Sequence, residues 1–229
     1  MTSHPQPFFE PPPGACQVVL VRHGQSIPYE EGRPFPLVDG HGDPPLSPRG
    51  HWQAERVAER LEDEPVSAIY VSSLTRTHQT AAPLATRLRL DVAIEPDLRE
   101  VFLGEFEGGL FRQMAVEGHP AVVRMRETGD WGELPGAETN EQLQRRTVTA
   151  IERLAERHGD ELIVVVCHGG VIAAVLSHAM RQPVMAYRGA RNASLSHVVV
   201  HGGEWILRSF NDAAHTGSLT ADHDPPEPL

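Results

Sequence analysis

Cys16-Gln17-Val18-Val19-Leu20-Val21-Arg22-His23-Gly24-Gln25-Ser26 is the stretch on which the fold turns. Its first half is a β-branched apolar run without polar–apolar alternation, the pattern of a strand covered on both faces. The run stops at a charged pair followed by glycine, so the chain leaves the core there and turns. Ala68–Val71 and Leu162–Cys167 have the same character, and the latter also stops at a histidine and glycines, His168-Gly169-Gly170. Between these runs the apolar spacing becomes helical. Ala54, Val57, Ala58 and Leu61 make one stripe, and Leu143, Thr147, Ala150, Ile151 and Leu154 another. Doubly covered strands alternating with amphipathic helices predict an α/β fold: a three-layer α/β/α sandwich around a central, mostly parallel sheet.

Local signals sharpen this outline. Ser47 before Pro48 supplies a capping hydroxyl and a proline suited to the first helical position, and Thr139 with Gln142 has capping-box spacing. Leu195–His201 and Trp205–Phe210 flank Gly202-Gly203, which predicts a hairpin at a sheet edge. The less regular region from Gly104 to Gly136 is expected to fold over the sheet as a lid. Residues 1–14 and 213–229, Pro-rich or acidic and poor in large apolar side chains, are expected to be disordered, leaving one domain over 15–212.

Composition narrows the function. A formal charge of −11 over 229 residues argues against a nucleic-acid surface, which needs clustered Lys and Arg, but not against a small anionic ligand met by local donors. No signal peptide or membrane-spanning run is seen, so a soluble, cytoplasmic protein without membrane partners is expected, and a homodimer is compatible with the sequence. Cys16 and Cys167 lie in apolar runs as free, buried thiols. The thirteen histidines include no HxH or HExxH spacing, so no metal site is predicted.

In open α/β sheets ligands sit beyond the carboxyl ends of the strands. Here those ends carry Arg22-His23-Gly24, Ser72-Ser73-Leu74-Thr75-Arg76-Thr77 and His168-Gly169-Gly170. Two arginines and two histidines thus converge on one end of the sheet. Guanidinium forks and helix N-termini suit phosphate oxygens, a neutral imidazole can attack phosphorus, and a second histidine, if protonated, can neutralise charge on the equatorial oxygens. Singly, Arg22 and Arg76 read equally well as structural ion-pair partners and His168 as a helix cap; together the anion site is the better reading.

These residues carry a resemblance. Val19-Leu20-Val21-Arg22-His23-Gly24-Gln25-Ser26 resembles the signature of the histidine phosphatase superfamily, also called the phosphoglycerate mutase-like family. Leu46-Ser47-Pro48-Arg49-Gly50 with Gln53-Ala54, Ser72 to Ala81, Leu98-Arg99-Glu100 with Gly104 to Gly108, and Val166-Cys167-His168-Gly169-Gly170 resemble its further motifs in order, over residues 16 to 210. The resemblance implies that His23 becomes phosphorylated, that Arg22, Arg76 and His168 hold the phosphoryl group, that His168 also takes part in catalysis, and that Glu100 handles the proton. Glu105 and Glu107 compete with Glu100 for that last role. The implied activity is hydrolysis of a small-molecule phosphomonoester through a phosphohistidine, with no metal and no cofactor.

Two departures bear on specificity. Pro28 and Tyr29 stand near where mutases of the family carry a phosphate-holding asparagine, and the loop 27–45 is long and proline-stiffened. Val101-Phe102-Leu103 follow Glu100 where cofactor-dependent mutases have basic and aromatic residues, which favours hydrolysis over the alternative, a cofactor-dependent phosphoglycerate mutase. Phe102, Phe106, Phe111 and Trp131 are candidates for an apolar wall against the leaving group. A non-catalytic phospho-ligand or protein-binding module, the alternative of another class, would not need nucleophile and acid together.

Overall fold

The computed structural model describes His4 and residues 6–217. In chain order the elements are β1 (Cys16–Arg22), β2 (Leu37–Val38), β3 (His41–Gly42), α1 (Pro48–Leu61), β4 (Val66–Val71), α2 (Thr75–Leu88), β5 (Val92–Ile94), α3 (Leu110–Glu117), α4 (Pro120–Thr128), α5 (Asn140–Arg157), β6 (Leu162–Cys167), α6 (Gly169–Met180), β7 (Leu195–His201) and β8 (Glu204–Asp212), with short 3-10 turns between some of them. The main sheet has the order β5-β4-β6-β1-β7-β8, while β2 and β3 pair separately. β5, β4, β6 and β1 run parallel, and β7 and β8 close the edge as an antiparallel hairpin.

The absence of alternation in the apolar strands has the expected cause: both faces of the sheet are covered. Cys16, Val18 and Leu20 pack with Ile151 and Leu154 of α5 and Ile172 and Val175 of α6. Val19 and Val21 face the other way, against Val57 and Leu61 of α1 and Ala81 and Leu84 of α2. Every residue of β6 is buried. Removing most of a fully buried side chain such as Ile163 would cost about 2–5 kcal/mol. A smaller cluster built on Phe106, Val122, Met125 and Leu134 holds α3 and α4 over the sheet, where the sequence predicts an irregular lid.

The helix signals work as read. Ser47 Oγ accepts the Gly50 N–H at 3.1 Å ahead of Pro48. Thr139 and Gln142 form both bonds of a capping box. β4 begins at Val66, earlier than its apolar run, because a register shift between Val66 and Ala68 absorbs the polar Ser67.

The described residues at either end of the chain make contacts with the domain. Ala213 and Thr216 are buried and His215 bonds the Ala193 carbonyl, so packing continues beyond residue 212. Before residue 15, Phe9 lies 3.7 Å from the Arg208 guanidinium and Gly14 N–H donates to the Asp160 carboxylate, which ties that segment to the domain at two points. Residues 1–3, 5 and 218–229 lie outside the described residues. Among the described residues no helix is long and apolar enough to cross a membrane.

Candidate active site

The site follows from strand register. β1 pairs with β6 so that Arg22 faces Cys167, and His23 N–H donates to the Cys167 carbonyl. Arg22-His23 and His168 therefore leave neighbouring strands at the same level. β4 lies on the other side of β6 and ends at Val71. It delivers Ser72 to the same edge and Arg76 to the first turn of α2.

His23 is buried, with Nδ1 2.7 Å from the Gly24 carbonyl oxygen. A carbonyl only accepts, so Nδ1 carries the proton and Nε2 presents a lone pair. That Nε2 accepts from Arg76 Nε at 3.3 Å. Burial first, then the Arg76 and Arg22 guanidiniums, hold the His23 pKa well below the ordinary histidine range, so the ring is neutral. Asn192 Nδ2 donates to the His23 carbonyl at 2.9 Å and Ala193 N–H to that of Arg22, fixing the turn. The sequence assigns Gly24 to turn freedom, but its φ is not in the left-handed region. The requirement is space: a Cβ at Gly24 would stand 2.5 Å from the Gly50 carbonyl oxygen.

Arg76 is buried and donates through Nη1 to the Gly42 carbonyl at 3.0 Å, with the Asp43 carboxylate 3.8 Å away. Asp43 also caps α2, accepting from Thr75 N–H and from its hydroxyl. Arg22 donates through Nη1 to the Ala190 carbonyl, while its Nε is buried without a partner among the described residues. Burial lowers both arginine pKa values against the opposing pull of Glu100, and guanidinium is basic enough to stay charged.

His168 is fully buried at the N-cap of α6, its ring edge-on to that of His23 with centroids 5.1 Å apart. Its Nε2 lies 2.9 Å from Ser72 Oγ, and its Nδ1 is buried without a partner among the described residues. Burial, then Arg76 and His23, push its pKa well below the ordinary range. The condition set from sequence, that His168 be protonated, is not favoured in this structure, where burial and the guanidiniums oppose a charge on the ring.

Two of the three candidate glutamates reach the cleft. Glu100 Oε1 accepts from Gly170 N–H at 3.0 Å and Val101 N–H at 2.9 Å, at the N-terminus of α6 and on the wall of the cleft. Glu107 also lines the cleft, its two oxygens accepting from Gly42 N–H and Leu103 N–H, whereas Glu105 is exposed outside it.

The cleft of about 1170 Å³ is lined by Arg22, His23, Arg76 and Glu100 and extends under α3 and α4. Phe111 and Trp131, with ring centroids 5.6 Å apart, give it an apolar wall together with Met125 and Met185. Of the aromatic candidates, Phe102 instead packs on His41 and Phe106 on His119, away from the lining. The long loop 27–45 supplies Pro28, Phe35, His41 and Gly42 to the rim.

A profile of the histidine phosphatase superfamily (branch 1) matches residues 18–213. The chain belongs to that superfamily. Among relatives of this histidine phosphatase, the metal-independent phosphoserine phosphatase of Arabidopsis thaliana is 33% identical over 208 residues, covering 89% of this chain and 84% of the relative. Phosphoglycerate mutase-like protein 4 of the same plant is 32% identical over 207 residues, covering 87% and 86% respectively. The native structure of a mycobacterial glucosyl-3-phosphoglycerate phosphatase superposes with a TM-score of 0.71 at 30% identity, covering 86% of this chain and 99% of that one.

Several residues of this histidine phosphatase escape sequence reasoning. Arg112 on α3 donates to Ser26 Oγ and the Ile27 carbonyl and lines the cleft with Arg126 of α4. Basic residues therefore do reach the site, from the lid rather than from the segment after Glu100. Asn192 and Asp43 act through contacts distant in sequence that no local pattern marks, and Ser72, though part of a strand end legible in the sequence, takes no role of its own from it.

Proposed function

We propose that this histidine phosphatase hydrolyses a small phosphomonoester by way of a phosphoryl group carried on His23 Nε2. The observation that carries the reading is the His23 Nδ1–H bond to Gly24, which leaves Nε2 as a neutral nucleophile beside two buried guanidiniums. In the first step Nε2 attacks phosphorus and the P–O bond to the leaving group breaks. Arg22 and Arg76 hold the phosphoryl oxygens as their charge shifts, His168 donates a further hydrogen bond, and Glu100, entering as the acid, protonates the departing alkoxide. In the second step the Glu100 carboxylate takes a proton from water as that water attacks phosphorus. Phosphate leaves and His23 is restored. The two guanidiniums supply the positive charge that a metal ion would otherwise bring, so neither metal nor cofactor is required. Free, buried Cys16 and Cys167 suit a reducing, cytoplasmic setting.

Brief mixing with a labelled phosphomonoester is expected to leave acid-labile, base-stable phosphate on the protein, to lose it in His23→Ala, and to proceed unchanged in chelator. Wild-type turnover by His23→Ala would refute the mechanism. Arg112 and Arg126 at the cleft keep a second reading, a phosphoglycerate mutase, in play. Given 3-phosphoglycerate and a bisphosphoglycerate primer, a hydrolase releases phosphate faster than it forms the 2-isomer, and a mutase does the reverse.

A further inference from the structure

Ser72 stands behind the second histidine, and its bonds can be counted proton by proton. Its side chain is fully buried. Its Oγ accepts the Leu74 N–H at 3.2 Å and lies 2.9 Å from His168 Nε2 and 3.1 Å from Thr77 Oγ1. Thr77 has one hydroxyl proton, and that is directed at the Leu74 carbonyl at 2.7 Å and the Ser72 carbonyl at 3.1 Å. The Ser72 proton therefore has two acceptors to choose from, Thr77 Oγ1 and His168 Nε2.

The choice decides what His168 offers the substrate. A neutral imidazole has one N–H. With that proton on Nε2, Ser72 turns to Thr77 and His168 Nδ1 becomes a bare lone pair, which repels phosphoryl oxygens. With the proton on Nδ1, Ser72 donates to Nε2, and Nδ1, which is buried and has no partner among the described residues, gains a proton to give. The His168 ring contacts the Ser72 hydroxyl through Nε2 and stands edge-on to the His23 ring, centroids 5.1 Å apart, and Arg76 and Arg22 both act on it electrostatically.

We infer that Ser72 is a positioning residue: when the site holds a phosphoryl group, the Ser72 hydroxyl donates to His168 Nε2 and so fixes the tautomer whose Nδ1–H bonds the phosphoryl oxygens. Thr77 serves as the alternative acceptor that lets the hydroxyl swing away. The inference rests on the proposed function for its meaning, since it assigns a role within that reaction.

The test reads the tautomer itself. In protein carrying ¹⁵N-histidine and saturated with orthovanadate as the phosphoryl probe, long-range ¹H–¹⁵N spectra report which His168 nitrogen is protonated, with His168→Gln identifying the signals. The expected result is a neutral ring protonated at Nδ1. Ser72→Ala should lose that single tautomer and weaken vanadate binding by about 10–10²-fold, the scale of a hydrogen bond to a charged group. Thr77→Val disturbs the same turn but leaves Ser72 only Nε2 to donate to, so it should keep both the tautomer and the affinity. An Nε2-protonated ring or an imidazolium in the wild-type complex overturns the inference, as does unchanged vanadate affinity in Ser72→Ala. If Ser72→Ala does not fold, the wild-type tautomer decides alone. Because vanadate binding needs no turnover, these outcomes are independent of the His23→Ala assay that tests the proposed function.

Discussion

Gly170 has no room for a methyl group, because a Cβ there would stand 2.5 Å from Glu100 Oε1. The first turn of α6 must be bare for its N–H to hold the carboxylate. Gly170→Ala is tolerable to the helix itself, since alanine is the better helix former, so the damage should fall on the position of Glu100. An alkyl phosphate expels a poor leaving group that needs a proton in the transition state, whereas nitrophenolate leaves without one. Glu100→Gln should slow phosphorylation of the protein from an alkyl phosphate by about 10²–10⁴-fold, and much less from p-nitrophenyl phosphate. Gly170→Ala should show the same contrast between the two esters, while Glu105→Gln should show none. Rapid mixing on the first step is the proper measurement, because Glu100 also serves the second step and steady-state rates blend the two. Equal slowing of both esters in Glu100→Gln, or no contrast in Gly170→Ala, would remove Glu100 from the acid's role.

One element, α5, positions Glu100 from a distance. Arg146 donates to the carbonyls of Asp97, Arg99 and Glu100 and pairs with Glu138, which in turn accepts the Phe102 N–H. Arg146→Met should therefore lower stability by about 2–4 kcal/mol, leaving Glu138 and three carbonyls short of a partner, and lower the rate with alkyl phosphates as well. Arg145→Met, whose ion pair with Glu141 is exposed, should stay within about 0.5 kcal/mol of wild type in urea unfolding. Similar losses in both variants would mean that the loop does not depend on α5. This contrast marks the limit of what the sequence makes legible. β1 and β6 could be read because burial on both faces leaves a local signature, and the Thr139–Gln142 box because its bonds span three residues. The Arg22, His23, Arg76 and His168 cluster followed from strand ends. Arg146 could not be told from Arg145 beside it, since its carbonyl partners lie 46 to 49 residues away, and Ser72 could not be told from Ser73 because its contact with His168 lies 96 residues on. Helices α3 and α4 were missed for a related reason: they are short and pack into a cluster of their own instead of the main core.

For the whole molecule, the histidines that keep the site neutral also set its response to acid. His23 and His168 are buried, His197 and His215 partly so, and the pKa of each is lowered, burial being the first cause. In the unfolded chain each takes a proton near the ordinary value of about 6.5. Below that pH the unfolded state binds protons that the folded state refuses, so stability is full above about pH 6.5 and is lost as pH falls toward the lower folded values. For His23 and His168 the limiting slope is about 1.4 kcal/mol per pH unit each. Because His23 is already deprotonated at neutral pH, the acid limb of kcat/KM should also lie below the ordinary histidine value, so that activity outlasts stability as the solution is acidified. Urea midpoints should thus be nearly level from pH 8 to 7 and decline from about 6.5 to 5, within the range where the native enzyme still turns over. His197→Gln, on β7 and outside the cleft lining, removes one refusing group without touching the chemistry, and it should flatten the decline while leaving the pH–rate profile in place. A midpoint that holds level or rises between pH 6.5 and 5, or a pH–rate profile that moves with His197→Gln, would show that these buried rings do not govern the acid response.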